Sequence, residues 1–324
     1  MKNDIRENNR VDSIDYLRSL SFTKQEKGHY SCIGHIGEIL QGVFFDKSGR
    51  LHRGLITLPC PTLSATCSFV SDWGAISVSP ASKVKAASAA RRALDYMGLH
   101  ERGGTLTVSS NIPIGFGMGS STSDIVATIN AVAHAFGRRL GPEVVAKLAV
   151  ASEVASDSTM FPETVVLFAQ REGIVLEHLG AQLPALTVLS VNAAPDHVID
   201  TLAHPPARYC DWEKEAFRSL LAMARKAVLT GDASLIGRVA SASARINQRF
   251  LPKPRFAEME RIAAATGAVG IQVAHSGTVA GLLFDATIIG VEDRVRKAAE
   301  ALTEIDMPPF MEFHTREVEY RHAS

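Results

Sequence analysis

Two features of this chain have residue types and spacing suited to chemistry: the acids Glu153 and Asp157 in "SEVASDSTMF", and the alternating glycines of "NIPIGFGMGSSTSD" at 111–124. Glycines at 115, 117 and 119 would let backbone amides come close to a bound anion. The start of the helical pattern that follows adds unpaired N–H groups and the positive end of a helix dipole. Together they read as a phosphate cradle; the rival reading is a tight strand-to-helix turn without a ligand. If a helix persists through residue 157, Glu153 and Asp157 lie on one face, one turn apart, where two acids can divide the work. An exposed acidic pair on a solvated helix end is the alternative.

Three familiar spellings fail. A Walker A loop needs Gly-Lys-Ser/Thr, and no lysine occurs between Lys85 and Lys147. A dinucleotide-binding GxGxxG would need glycine where Ser120 or Thr122 stands. A nucleophile elbow around Ser276 would need glycines at Ala274 and Thr278. What remains, Pro113-x-Gly115-x-Gly117-x-Gly119-Ser120-Ser121, resembles the phosphate-binding motif of the GHMP kinases, the superfamily of galactokinase, homoserine kinase and mevalonate kinase. "GEILQG" at 37–42 resembles that superfamily's N-terminal Gly-Glu substrate motif, and "AHSGTVAGLLFD" at 274–285 its C-terminal glycine-containing motif. These two segments and "SDSTMF" are similar to the L-threonine kinases that serve cobalamin side-chain synthesis.

The resemblance implies an α+β, two-domain architecture, ribosomal-S5-like then ferredoxin-like, with ATP and Mg²⁺ bound between the domains. It implies that Pro113, Gly115, Gly117, Gly119 and Ser120 meet the phosphates; Ser276, Gly277 and Thr278 follow an apolar strand and could reach them from the second domain, a plain strand-turn-strand being the alternative. Ser121 and Glu153 are then the metal ligands, and Asp157 the base or hydroxyl-orienting group. Glu38 and His35 fall on the substrate side, where Glu38 would bind an ammonium or hydroxyl; a surface arginine is its bland alternative partner. The spelling departs from the related kinases at two places. Val154 and no proline stand where they carry Glu-Pro-Thr before the aspartate, and Ile33-Gly34-His35-Ile36 replaces Pro-Ala-Ser-Cys. His275 is read as a structural histidine.

Residues 1–28 are polar and charge-mixed and read as a tail. From Tyr30 to Val78, apolar runs broken by Gly, Pro and Ser read as short strands. The segment 82–99 reads as a helix with Val84, Ala87, Ala90 or Arg91, and Leu94 at helical spacing, stopping near Gly98, and 104–113 as a half-buried strand that runs into the glycine loop. A helix follows in which Ser121, Thr122, Ser123 and Asp124 supply cap-type side chains, then a second from Pro142 to the two acids. Residues 163–180 read as a hairpin, and the boundaries are expected at 29–179 for the nucleotide-binding domain and 180–324 for a second α+β domain, with strands in 185–193 and 268–285 and helices at 212–231, from Ala233 and at 289–305.

A chain of 324 residues with 34 basic and 34 acidic side chains has no global field to gather nucleic acid or an anionic membrane, so the expected partner is small. No apolar stretch is long enough to span a bilayer, and Cys32, Cys60, Cys67 and Cys210 form neither a zinc spacing nor a disulfide framework, which fits a reducing cytoplasm. No residue from Thr62 to Lys85 stands out as an adenine contact, and no segment shows an interface, although homodimers occur in the superfamily. The expectation is an ATP- and Mg²⁺-dependent kinase acting on the hydroxyl of L-threonine or a related hydroxy amino acid. The alternatives are a kinase of another amino alcohol or specialised metabolite, or a non-catalytic ATP-binding sensor of the same fold.

Overall fold

Two long antiparallel strands form the spine of the molecule: β1 (Lys27–Phe45) and β2 (Leu51–Trp73). The computed structural model describes residues 26–195 and 207–316; nearly all of the expected N-terminal tail lies outside them. Asp46 closes the β1–β2 turn by accepting the Ser48 and Arg50 N–H groups at 2.8 and 2.9 Å, with Gly49 at φ +83°. The glycines and prolines that suggested several short strands are absorbed instead as register shifts between Ile33 and Gly34, His35 and Glu38, and Glu38 and Leu40. Such bulges kink a strand and re-aim its side chains without ending it.

Strands β3 (Ile76–Ser79) and β4 (Arg102–Ser110) extend this sheet on one side, with helix α1 (Val84–Tyr96) between them in sequence. The glycine loop leads to α2 (Ser120–Ala135), then α3 (Pro142–Glu153) and the hairpin β5 (Val165–Ala169) and β6 (Ile174–Gly180). The remaining elements are β7 (Leu186–Asn192), α4 (Asp211–Thr230), α5 (Ala233–Asn247), α6 (Phe256–Thr266), β8 (Gly270–Val273), β9 (Val279–Asp285), α7 (Val291–Glu304) and β10 (Met311–His314). Sheet order is β10-β7-β9-β8-β1-β2-β4-β3, and all pairs are antiparallel except β3–β4. The fold is α+β, as expected. Strand β8 joins the spine through one pair, Glu38 with Val273.

Helix α2 packs on β1 and β2 and is buried on nearly every face, which its Ala, Val and Ile content permits. Helix α1 buries Ala86, Ala89, Ala90, Ala93 and Leu94; Ala90 and Leu94 lie on the face expected, whereas Val84 is exposed. The alanines allow close approach to α2 and α3, whereas Val84 stands at the mouth of the cavity described below. Helix α6 and strand β10 have no counterpart in the sequence reading; the first follows a proline-rich turn and the second is four residues long. All four cysteines are free, three of them buried. No helix among the described residues is long and apolar enough to cross a membrane.

Candidate active site

The loop from β4 to α2 is built on backbone conformations that only glycine adopts easily: Gly115, Gly117 and Gly119 have φ of +87°, +79° and +74°. Two of them are also pressed against the rest of the chain. A Cβ on Gly117 would lie 2.6 Å from the Gly277 Cα, and one on Gly119 would lie 2.2 Å from the His35 ring. Gly119 is the N-cap of α2 and no side chain caps the helix. Ser121, Thr122, Ser123 and Asp124, expected as caps, instead lie inside the first turns, where Ser123 donates to the Ile33 carbonyl at 2.9 Å. Their side chains are occupied elsewhere, so the first N–H groups of α2 are left for a ligand.

Two lysines that the sequence reading passed over reach this helix start. Lys83 pairs with Asp124 at 2.5 Å, and Lys85 Nζ lies 3.3 Å from Ser121 Oγ and 3.9 Å from Glu153. The signal for them was "SKVK" just before a helix. It lies far from the glycines in sequence, and the search for a lysine had followed the loop alone.

The two acids do not share a helix face. Helix α3 ends at Glu153, and Val154 follows at φ +75°, ψ −39°, with the Ala155 N–H donating to the Glu153 carbonyl at 2.9 Å. This is a γ-turn at a β-branched residue, a strained conformation. It turns the chain so that Asp157 approaches Glu153 from a loop. Thr122 links them: its hydroxyl donates to Glu153 Oε1 at 2.8 Å and lies 3.5 Å from Asp157 Oδ2. Burial pushes the Glu153 carboxyl up to about 6, against the pull of the Ser121 and Thr122 hydroxyls, and the neighbouring Asp157 charge adds to the rise.

His35 Nε2 lies 2.8 Å from Asp157 Oδ2, a close ion pair without the alignment of a straight hydrogen bond. Burial pulls the His35 imidazole down, but the Asp157 charge and its contact outweigh it and carry the group to about 9. Burial likewise works against ionised Asp157, and the cationic His35 overcomes it, holding the carboxyl below its ordinary range. Glu38, on the bulged stretch of β1, is 2% exposed and pairs with His275, not with a surface arginine.

These groups surround one cavity of about 670 Å³. Pro113, Gly115, Gly117, Gly119, Ser120, Ser121, Glu153, Asp157, His35, Glu38 and Ser276 all line it, together with Lys83 and Lys85. Gly277 and Thr278 do not. Gly277 packs its backbone against Phe116 and Gly117, and Thr278, 1% exposed, donates its N–H to the Phe116 carbonyl at 3.2 Å, so both brace the loop from behind. The Ser121 hydroxyl and the Glu153 carboxylate form a hard-oxygen pair of the kind Mg²⁺ prefers. A second set, His35, Glu38 and Asp157, brings ligand atoms within 4.8 Å of one another, but an ion there would have to displace the proton that His35 holds.

Residues 83–161 match the family described as GHMP kinases N terminal domain. An L-threonine kinase of Citrobacter freundii is 31% identical over 182 residues, 56% of this chain and 62% of that protein. One of Salmonella typhimurium is 31% identical over 180 residues, 55% and 59% respectively. The match thus spans less than two thirds of these relatives' length. Among solved structures, homoserine kinase from Cytophaga hutchinsonii superposes with a TM-score of 0.66 at 15% identity, covering 91% of this chain and 96% of its own. Mevalonate kinase from methicillin-resistant Staphylococcus aureus gives 0.56 at 14%, covering 89% and 98%. Residues 83–161 are thus similar to the N-terminal domain of the GHMP kinases, and the chain has the same fold as homoserine kinase and mevalonate kinase.

Proposed function

We propose that this protein is an ATP- and Mg²⁺-dependent kinase that transfers the γ-phosphoryl group to an alcohol, with the side-chain hydroxyl of L-threonine or a related hydroxy amino acid as acceptor. The observation that carries the reading is the pairing, across one cavity, of an uncapped helix start behind three left-handed glycines with an aspartate kept anionic by a buried histidine. The L-threonine kinases among its relatives support the acceptor.

In this reading the amides of the loop and of the first turn of α2 hold the phosphates, and Lys83 and Lys85 add positive charge at the same end. Ser121 and Glu153 offer the oxygen ligands for Mg²⁺, which when bound neutralises charge on the phosphates. Asp157 accepts a hydrogen bond from the acceptor hydroxyl and points its oxygen at the γ-phosphorus. As the new O–P bond forms and the bond to the bridging oxygen of ADP breaks, the hydroxyl proton passes to Asp157. His35 keeps that carboxylate ionised beforehand, and its own ring is fixed against Gly119. Glu38 is available to the acceptor's ammonium. Gly277 and Thr278 act by supporting the loop.

The test is ADP release from Mg·ATP with L-threonine, L-serine, L-homoserine and a set of amino alcohols, with Asp157→Asn as control. Turnover on one hydroxy amino acid, lost in the variant, is the expected result. Turnover only on other amino alcohols would move the acceptor class, and ATP binding with no turnover on any of them would favour a non-catalytic nucleotide sensor.

A further inference from the structure

Glu38 does not stand alone in the cavity wall. Its Oε2 receives the backbone N–H of His275 at 2.9 Å and lies 2.9 Å from that residue's Nδ1. On the other side of the ring, Nε2 is 3.2 Å from the Ser243 hydroxyl, which in turn accepts the Gln41 N–H at 3.1 Å. His275, Glu38 and Ser243 are all buried.

The chain of bonds fixes where the protons are. Ser243 Oγ already accepts from Gln41, and among the described residues the imidazole is the one acceptor for its own proton. Nδ1 faces only acceptors, Glu38 Oε2 and, more weakly, the Val273 carbonyl at 3.2 Å, so it carries the ring proton and aims it at Glu38, and Nε2 is left to accept the Ser243 proton. Oε2 is thus filled twice. Oε1 has no hydrogen-bond partner among the described residues, and Glu38 lines the cavity.

The same turn reaches the glycine loop. Residue 37 sits at φ +59°, where a Cβ would lie 2.7 Å from the Ala274 nitrogen, and three residues further along the turn Gly277 meets Gly117 backbone to backbone. The segment from Ala274 to Thr278 is therefore wedged between the bulge that carries Glu38 and the loop that would carry the phosphates.

We infer that His275, held as its Nδ1–H tautomer by Ser243, is a positioning residue that clamps one oxygen of Glu38 and presents the other to a cationic group on the acceptor. The inference rests on the reading of the cavity as a kinase site and adds to it how the amine end of the acceptor is held. His275 touches neither the phosphates nor the reacting oxygen, so its loss acts on acceptor binding.

Two measurements test it. In steady-state kinetics, His275→Ala raises the acceptor KM about tenfold or more while the ATP KM stays within about twofold. His275→Asn, whose side-chain N–H can replace Nδ1–H, recovers most of that loss, and Ser243→Ala, which frees the tautomer, gives a smaller rise of about threefold. In ¹⁵N NMR of the labelled protein, with His275→Asn used for assignment, the wild type shows the Nδ1–H tautomer and Ser243→Ala a mixture. An Nε2–H tautomer in the wild type overturns the inference whatever the kinetics show. So does an acceptor KM unchanged in folded His275→Ala, or one that rises in step with the ATP KM. If no alcohol is turned over while the Nδ1–H tautomer is seen, the kinase reading fails and the clamp on Glu38 stands as a structural finding without an acceptor.

Discussion

The two ends of the cavity are made of different materials. The glycine loop and the start of α2 offer backbone N–H groups, and their residues are contiguous from 113 to 121. The opposite wall is made of side chains drawn from a bulge in β1, the end of α3, the loop after it and the β8–β9 turn, each held by a partner far away in sequence. A backbone site needs a particular local conformation, and local conformation is written in adjacent residues. A side-chain site needs particular pairings, and those arise only when the sheet closes.

The largest effect that would sharpen this contrast is on the side-chain wall. Asp157→Asn should lower kcat about a hundredfold while leaving ATP affinity within about twofold, since the carboxylate acts on the acceptor. Near-normal turnover would remove Asp157 from its role. On the backbone side, Gly117→Val should raise the ATP Kd about tenfold and also lower the melting temperature, because the new Cβ meets Gly277 at 2.6 Å. Weakened binding without loss of stability would mean that the contact behind the loop is unimportant and only ligand approach matters.

A smaller effect concerns pH. His35 is raised from 6.5 to about 9 in the folded protein, so its pairing with Asp157 stabilises fully below pH 6.5 and is lost as pH rises through about 9. Thermal melts from pH 6 to 10 should show this decline in the wild type and much less of it in His35→Gln; the same slope in both would break the assignment. The smallest effect is expected at Val154. Substitution by glycine relieves the γ-turn strain but adds chain entropy to the unfolded state, leaving a net stabilisation of up to about 1 kcal/mol. A melting temperature that falls instead would show that the valine side chain contributes more than its backbone costs.

The same contrast explains what was legible in the sequence. The loop, the helix after it and the β5–β6 hairpin could be read from spacing and periodicity, because each is decided within about fifteen residues, whereas the α+β class of the whole chain came from the resemblance. Long strands were taken for short ones because bulges at Gly34, His35 and Glu38 look like breaks. Glu153 and Asp157 do meet, through Thr122, but not on the shared helix face expected for them, since a helix that stops at a valine of positive φ has no sequence signature. Lys83 and Lys85 were missed because their one signal, "SKVK" before a helix, lies far in sequence from the glycine loop they reach, and the contact of His275 with Glu38 because the two are 237 residues apart.

The meeting of Gly117 with Gly277 has a consequence for how the chain can change. The two positions are separated by about half the length of the sequence, yet each is already the smallest residue there is, so neither can shrink to make room for growth in the other. A substitution at one has no compensating partner at the other. Suppressors of Gly117→Ala or Gly277→Ala would have to move a whole backbone segment, and in a saturation library both positions should appear as solitary constraints with no covarying mate.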